Sequence, residues 1–362
     1  MKVLNDYNKC LTNYACSIRK YFGLEYKHNT IKEVDDLLEK YKPRNVITFL
    51  FDGMGTYVLN RTDAEFFKTN KIMDLHSVFP ATTVACTTSV RTGLNPVETN
   101  MLGWNMYYDE LDRVITTFLH SYKDDPDDKL VEEARDYNLK YMKTKGICDE
   151  LGDKGIEILG FKGGFSNPNE MVEKVISNCK KDGMHYMYVY DTEPDGTMHV
   201  MGCDGNDAKS LIMERNNAIM NFYNRMDDDT IAFVIADHGH TNIENIELSE
   251  YPDIIDCLRE DTSIEPRACN FMIKSDKKEL FVELFNKYFG NYYDLYTKED
   301  VINSKLFGDG EENIKFRSSL GDYLAIAKTN KTIIYGNHPF KSHHAGYTID
   351  EYTVPLILVK KR

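Results

Sequence analysis

Residues 46–56 read VITFLFDGMGT, an apolar run that ends at Asp52 and a turn containing Gly53 and Gly55. A run this apolar is typical of a strand buried on both faces of a parallel sheet. The glycines allow a tight turn and a close approach of the backbone to a ligand. The stretch therefore predicts a buried strand that delivers a carboxylate to one edge of a sheet. The alternative is that Asp52 only caps a following helix.

Further apolar runs resemble the first, and segments with helical spacing of apolar residues lie between them. The runs cover 184–190, 230–236 and 353–359, and the helical patterns cover 31–41, 168–181 and 207–226. This alternation predicts an α/β fold in which helices cover both faces of a mostly parallel central sheet.

Residues 245–329 have a different pattern. Short strand-like runs, NFMIK at 270–274 and DYLAIA at 322–327, flank a helical pattern at 277–289. We therefore expect a small α+β subdomain at 245–329, inserted into a catalytic core formed by 1–244 and 330–362. Residues 1–43 are expected to form a helical extension packed on that core.

The composition limits the classes of partner. Apolar residues make up 42% of the 362 residues, which predicts a folded chain rather than a disordered one. A formal net charge of -14 argues against general binding of nucleic acid or an anionic membrane. It does not exclude a phosphate substrate, because bound divalent cations reverse the sign of the field in an acidic pocket. Composition leaves the oligomeric state open.

The cysteines and the apolar segments bear on location. Eight cysteines are scattered without a CxxC pair, which favours reduced thiols over a disulfide framework. The first residues, MKVLNDYNKC, have no apolar signal core, and no run is long enough to span a bilayer. We expect a cytoplasmic protein.

Carboxylates and imidazoles follow the predicted strands, where ligands of open parallel sheets collect. Asp195 and His199 stand four positions apart in EPDGTMH, and Asp237 and His238 follow the run at 230–236. Such oxygen and nitrogen donors suit zinc or manganese. The alternative for each is a turn cap or an ordinary packed histidine.

Two further segments supply histidines. A catalytic ion usually takes three protein ligands, so Asp195 and His199 need a partner. His343 or His344, just before the last strand, can complete that set. His240 is expected to face solvent or to hydrogen-bond a ligand residue.

A pair of threonines stands at a predicted helix start in VFPATTVACTTSVRTGLNP, residues 78–96. Thr82 or Thr83 can simply cap the helix. A threonine there can also act as a nucleophile, because the helix dipole and a bound cation both stabilise an alkoxide. Three carboxylates with two divalent ions would leave a net charge of about +1, which attracts a phosphate group.

The order of these motifs resembles the alkaline phosphatase superfamily, and within it the type I phosphodiesterase/nucleotide pyrophosphatase family. The likeness runs from about residue 44 onward through FDGMG, VFPATT, TGLNP, EPDGTMH, ADHGH and HHAGYT. It implies an alkaline-phosphatase-like core with two zinc or manganese ions. The implied ligands of one ion are Asp52, Asp237 and His238, and those of the other are Asp195, His199 and His344.

The resemblance also implies catalytic roles. Thr83 would be the nucleophile and a metal ligand, and Asn105 would bind a phosphoryl oxygen. His344 is preferred to His343 because the family histidine directly precedes the small-Gly turn. The family often places Phe after the nucleophile to stack on a nucleobase, but Val84 stands there. The motifs therefore do not imply a nucleotide substrate.

We expect hydrolysis of a phosphodiester or pyrophosphate bond in a small phosphate ester, through a phosphothreonine. The alternatives are a phosphomonoesterase, a phosphonoacetate hydrolase and, less favoured, an inactive metal-binding scaffold. Monoesterases of the superfamily tend to add a Lys or Arg clamp. Arg267 is the candidate in the insertion, with a surface position expected for it. Trp104 is expected either to line the leaving-group pocket or to pack in the core.

Overall fold

The central sheet has six strands in the part of the chain that the computed structural model describes, residues 5–335 and 339–361. Their spatial order is Lys71–His76, Thr353–Val359, Thr230–Ile235, Asn45–Phe51, His185–Asp191 and Gly155–Leu159. The last four of these are mutually parallel, and Thr353–Val359 runs antiparallel to both of its neighbours. The predicted mostly parallel α/β sheet is confirmed.

The strand Asn45–Phe51 lies in the middle of this sheet, and each of its residues is buried. Its neighbours on both sides are parallel to it, with Phe51 opposite Asp191 and Leu50 opposite Ile235. The carboxyl ends of the three strands therefore meet at one edge. The chain segments that follow them start within a few residues of one another.

Helices pack on both faces of the sheet. Thr48 and Phe233 are paired, so their side chains share one face, and Tyr14 packs there against the Phe233 ring at 5.8 Å. Phe49 points to the opposite face and meets Phe222 at 5.5 Å. The helix Leu11–Tyr21 thus covers one face, and Asn206–Arg225 covers the other.

The helix bounds are as follows. The α-helices are Leu11–Tyr21, Lys32–Tyr41, Thr56–Asn60, Glu65–Asn70, Thr83–Thr92, Pro96–Thr99, Glu132–Tyr141, Ile147–Leu151, Pro168–Cys179, Asp195–Met201, Asn206–Arg225, Pro252–Ile255, Lys278–Phe289, Lys298–Asn303, Phe316–Ser319 and Ile349–Tyr352. Short 3-10 turns lie at Gly152–Lys154, Gly160–Lys162 and Leu248–Glu250. Over the described ranges, no helix is long and apolar enough to cross a membrane.

A second sheet of seven antiparallel strands lies beside the first. In spatial order its strands are Tyr293–Thr297, Tyr323–Ala327, Ala268–Phe271, Ser263–Glu265, Asn105–Tyr108, Arg113–Thr116 and Ser121–Tyr122. Two short ladders complete the strands, Glu244–Glu247 with Lys331–Ile334 and Thr241–Asn242 with Ser342–His343.

The second sheet draws on two parts of the sequence. Four of its strands come from 245–329, and three come from 105–122, joined where Ile264 pairs with Asn105. Sequence analysis did not predict the strands at 105–122, because they are two to four residues long and lack a continuous apolar run. The division into a core and an insertion stays a prediction, and its ranges include positions 1–4, 336–338 and 362 outside the described residues.

Arg267 ties this second sheet to the C-terminal segment. Its side chain is fully buried, so the expected surface position is wrong. It donates to both carboxylate oxygens of Glu351, at 2.6 and 2.8 Å. Glu351 in turn accepts from the Gly346 amide at 2.7 Å and the Thr348 hydroxyl at 2.6 Å. The pair fixes the turn that follows His344.

Replacement of Arg267 by methionine should lower the free energy of unfolding by about 3–5 kcal/mol, because it leaves the Glu351 charge buried without its partner. Urea unfolding followed by circular dichroism measures this. The control is Arg317→Met, which breaks an exposed pair with Glu312 and should leave the unfolding free energy nearly unchanged. Equal effects of the two substitutions would contradict the structural role given to Arg267.

Candidate metal centre and active site

The first group of candidate ligands lies at the carboxyl edge of the central sheet. Asp52, Asp237 and His238 are all buried, and their ligand atoms lie within 4.8 Å of one another. The His238 Nε2 atom is 3.2 Å from Asp52 Oδ1 and 3.6 Å from Asp237 Oδ2. Tyr190 donates its hydroxyl to Asp52 and holds that carboxylate in place.

The turns around this group depend on two glycines. Gly53 has a φ of 73°, and its amide donates to Asp237 Oδ1 at 3.0 Å. A Cβ on Gly55 would lie 2.4 Å from the Cα of Gly239, so the two loops can approach only without side chains. The predicted tight turn after Asp52 thus brings its loop against the loop that carries His238.

Thr83 is the first residue of the helix Thr83–Thr92, and its hydroxyl reaches this group. The Oγ1 atom lies 3.3 Å from His238 Nε2 and 3.4 Å from Asp52 Oδ2. Thr82 stands at the capping position, but its side chain makes no cap hydrogen bond. The capping alternative therefore does not account for these threonines.

The second group contains Asp195, His199, His240 and His344. Asp195 and His199 lie one turn apart on the helix Asp195–Met201, with 3.4 Å between Oδ1 and Nε2. The His344 Nε2 atom is 3.8 Å from the same oxygen. The Nδ1 atom of the neighbouring His343 accepts a hydrogen bond from the His344 amide nitrogen at 2.9 Å.

His240 lies inside the second group and is fully buried, so the expectation that it faces solvent is wrong. Its Nε2 atom lies 2.6 Å from Asp195 Oδ1, and its Nδ1 atom lies 3.0 Å from Ser342 Oγ. The other expectation, contact with a ligand residue, agrees with this geometry. The ring direction is fixed by Ser342, 102 residues away, so the local DHGH motif carries no signal for it.

The two groups form one cluster. The His238 and His344 rings stack with 3.8 Å between their centroids, and His238 Nε2 is 4.0 Å from Asp195 Oδ1. Burial and then the Asp195 charge raise the pKa of Asp52, while burial and then Asp52 raise the pKa of Asp237. Burial and the nearby His238 lower the pKa of His344. Bound cations would relieve this repulsion.

The donor atoms fit divalent cations. Asp237 Oδ2 is buried and has no hydrogen-bond partner among the described residues, which is costly unless a cation binds it. His199, His238 and His344 each place Nδ1 3.0–3.1 Å from a backbone carbonyl oxygen. Metal-ligating histidines typically donate their second ring nitrogen in this way. Each Nε2 atom is thus left for a cation.

A cavity of about 490 Å³ opens beside the cluster, and its lining includes Thr83, Asn105 and His199. Asn105 begins the strand Asn105–Tyr108, and its amide oxygen accepts from the Thr116 hydroxyl at 3.0 Å. Trp104 lines the cavity and is 39% exposed, which favours the pocket position over the core.

Sequence analysis missed Glu265, which also lines the cavity and is buried. Burial raises the pKa of its carboxyl to about 7. No periodic pattern singles out this residue, since it stands in the short stretch SIEPR. Its position depends on the second sheet.

Comparison with known proteins identifies the family of this chain. The model of the type I phosphodiesterase/nucleotide pyrophosphatase family matches residues 46–348. No curated protein sequence gives a significant match. Human ectonucleotide pyrophosphatase/phosphodiesterase 5 is similar in structure, with a TM-score of 0.67 and 16% identity over 87% of each chain.

Two other solved structures are similar. One is the murine ectonucleotide pyrophosphatase/phosphodiesterase 5 as an inactive threonine-to-alanine variant in complex with AMP, with a TM-score of 0.65 and 17% identity over 86% of this chain and 87% of that one. The other is phosphonoacetate hydrolase from Sinorhizobium meliloti in complex with phosphonoformate, with a TM-score of 0.59 and 13% identity over 88% and 90%. At these identities the likeness shows the shared fold.

Removal of divalent cations should lower the melting temperature, and more at about pH 8 than at about pH 5. In the metal-free fold Asp52 and Asp237 have raised pKa values, so the folded chain keeps protons that the unfolded chain releases above about pH 4. The contribution of these two carboxyls to the stability of the metal-free protein therefore falls as the pH rises, whereas bound cations replace those protons.

Calorimetry with EDTA and with added zinc, at both pH values, measures this difference. As a control, Asp237→Asn should reduce the metal content per chain, measured by plasma mass spectrometry. Equal melting temperatures with and without chelator at both pH values would contradict the metal assignment.

Proposed function

The chain belongs to the type I phosphodiesterase/nucleotide pyrophosphatase family of hydrolases, and we propose that it cleaves a phosphodiester or pyrophosphate bond in a small substrate through a phosphothreonine at Thr83. One observation carries this proposal. The Thr83 hydroxyl lines the cavity and lies 3.3–3.5 Å from both Asp52 and His238, beside the second group of ligands.

Two divalent cations would be held by the two groups. Asp52, Asp237 and His238 with the Thr83 oxygen would hold one, and Asp195, His199 and His344 the other. Mixed nitrogen and oxygen donors favour zinc, with manganese as the alternative. Bound there, the cations would supply stabilisation of negative charge on oxygen and lower the pKa of water.

Thr83 is placed to act as the nucleophile. It stands at the N-terminus of a ten-residue helix, where the helix dipole favours an alkoxide. Its oxygen forms a bond to phosphorus while the ester bond to the leaving oxygen breaks. Water then attacks the phosphothreonine and releases the phosphate product. The threonine-to-alanine variant of the murine relative is inactive, which agrees with this role.

Asn105 would bind a phosphoryl oxygen. The Thr116 hydroxyl occupies its amide oxygen, so the amide N–H groups remain as donors toward the cavity. A donor that is already oriented stabilises charge developing in the transition state without reorganisation.

The positive side chains near the cavity favour a diester over a monoester. Lys123 lines the cavity, but its ammonium group lies 3.0 Å from Asp261 and 2.7 Å from the Thr262 carbonyl oxygen. Arg267 is bound to Glu351. Neither is available to clamp the extra charged oxygen of a monoester, so a phosphoryl group with one negative charge fits better.

The residues around the cavity do not restrict the leaving group to a nucleotide. Val84, after the nucleophile, is buried in a core cluster, so that position supplies no stacking surface. Trp104 and Phe340 line the cavity and can contact an organic leaving group.

The cytoplasmic location predicted from the sequence stays a prediction, supported by eight buried, unpaired cysteines.

A substrate panel should distinguish the candidate reactions. The panel is bis-p-nitrophenyl phosphate, thymidine 5'-monophosphate p-nitrophenyl ester, p-nitrophenyl phosphate and phosphonoacetate, each with added zinc or manganese. We expect the diesters to exceed the monoester in kcat/KM by about tenfold or more. Preference for the monoester or for phosphonoacetate would favour the corresponding alternative, and no turnover at all would favour the inactive scaffold.

The Thr83→Ala variant should lose at least about 10³-fold in kcat, because it removes the hydroxyl that lies 3.3–3.5 Å from Asp52 and His238 and would form the covalent intermediate. Its metal content and melting temperature should stay at wild-type values. The matched control is Thr92→Ala at the opposite end of the same helix, which should keep its activity. Full activity of the Thr83 variant would exclude a phosphothreonine.

A further inference from the structure

A single buried carboxylate oxygen joins two parts of the candidate site. The Oε1 atom of Glu265 accepts the Thr82 hydroxyl at 2.5 Å and the Trp104 amide at 2.8 Å. Glu265 is 5% exposed and lines the cavity.

The two partners of Glu265 precede the two groups that the proposed reaction uses. Thr82 is adjacent to Thr83, and Trp104 is adjacent to Asn105. Thr82 belongs to the start of a helix on the central sheet, whereas Trp104 leads into a strand of the second sheet. One acceptor atom therefore connects the nucleophile segment with the segment that carries the phosphoryl-oxygen donor.

The backbone next to Glu265 is strained in the same place. Ile264 has a φ of 69°, a conformation that a β-branched residue rarely adopts. A Cβ on Gly103 would lie 2.6 Å from the Ile264 carbonyl oxygen, so the segment before Asn105 approaches the strand Ser263–Glu265 closely only because residue 103 is glycine. Such strain persists where the surroundings hold it, and it clusters at functional sites.

Burial of this carboxyl is also costly, because it is only partly compensated by two hydrogen bonds. If the only role of the Glu265 side chain were packing, an apolar side chain would serve as well. The combination of a buried acceptor, one donor before a helix, one donor before a strand of the second sheet and a strained neighbour indicates a requirement for accurate placement.

We propose that Glu265 is a positioning residue that sets the distance between the Thr83 hydroxyl and the Asn105 amide, acting through Thr82 and Trp104. This inference rests on the proposed function. It requires an acceptor atom at the Oε1 position but not a negative charge. Glutamine, which keeps one carbonyl oxygen, should therefore replace glutamate, whereas alanine should not.

The test compares Glu265→Ala, Glu265→Gln and Thr82→Val in the full chain loaded with zinc. Steady-state kinetics on bis-p-nitrophenyl phosphate give kcat and KM separately. Titration calorimetry with orthovanadate and with inorganic phosphate adds a readout without turnover. Vanadate mimics the five-coordinate transition state and needs the nucleophile and the donor in register, whereas phosphate does not.

For Glu265→Ala we expect kcat and vanadate affinity to fall about 10- to 100-fold, with KM and phosphate affinity changed less than about threefold. Glu265→Gln should stay within about threefold of wild type in all four values. Thr82→Val should show a smaller loss, and the double variant with Glu265→Ala should lose no more than Glu265→Ala alone, because both changes break the same connection.

Other outcomes overturn the inference. Wild-type behaviour of Glu265→Ala, equal losses in the Gln and Ala variants, or equal losses of phosphate and vanadate binding would each do so. If Glu265→Ala does not fold, the Thr82→Val variant provides the test. Wild-type kcat and vanadate affinity in that variant would reject the proposed connection through Glu265. An inactive wild-type chain would instead reject the proposed function, and vanadate and phosphate affinities of the variants still test the positioning role.

Discussion

The structure must accommodate two buried carboxylates, Asp52 and Asp237, and the partly buried Asp195 at the carboxyl edge of the central sheet. Asp52, Asp195 and Asp237 lie around the same imidazoles, and burial raises the pKa of Asp52 and Asp237. Water cannot screen charges in this position, so protons or cations must offset them. The backbone carbonyls that accept from the imidazole Nδ1 atoms fix the rings with Nε2 turned inward. The cluster is thus built to exchange protons for divalent cations.

The second sheet contributes residues to the candidate site. Glu265 and Arg267 stand two residues apart and reach different segments of the core. Glu265 contacts the start of the helix Thr83–Thr92, and Arg267 binds Glu351, which holds the turn after His344. Both contacts are buried, so they keep their strength in a low dielectric. The geometry of each candidate metal group is therefore coupled to strands outside the central sheet.

The same contacts bear on the choice of substrate. Arg267 is the cation that the sequence offers for a monoester, and Lys123 lines the cavity, but each is bound to a carboxylate of the protein. The charge available to a phosphoryl group in the cavity would come from bound metal ions and from the neutral Asn105 amide. The proposed diester or pyrophosphate substrate, with one negative charge on the phosphoryl group that is attacked, matches that supply better than the dianion of a monoester.

The sequence by itself determined four of the six described strands of the central sheet, because strands buried on both faces need continuous apolar runs such as 46–51. The edge strands Lys71–His76 and Gly155–Leu159 are partly exposed and lack such a run, so the sequence did not predict them. It also placed Asp52, Asp237 and His238 at one edge, since parallel strands end together. Tertiary structure alone decided the direction of His240, whose ring is fixed by Ser342, 102 residues away, and the burial of Arg267. It also decided the place of Glu265, whose short strand has no periodic signal. Side-chain directions set by distant partners leave no local pattern to read.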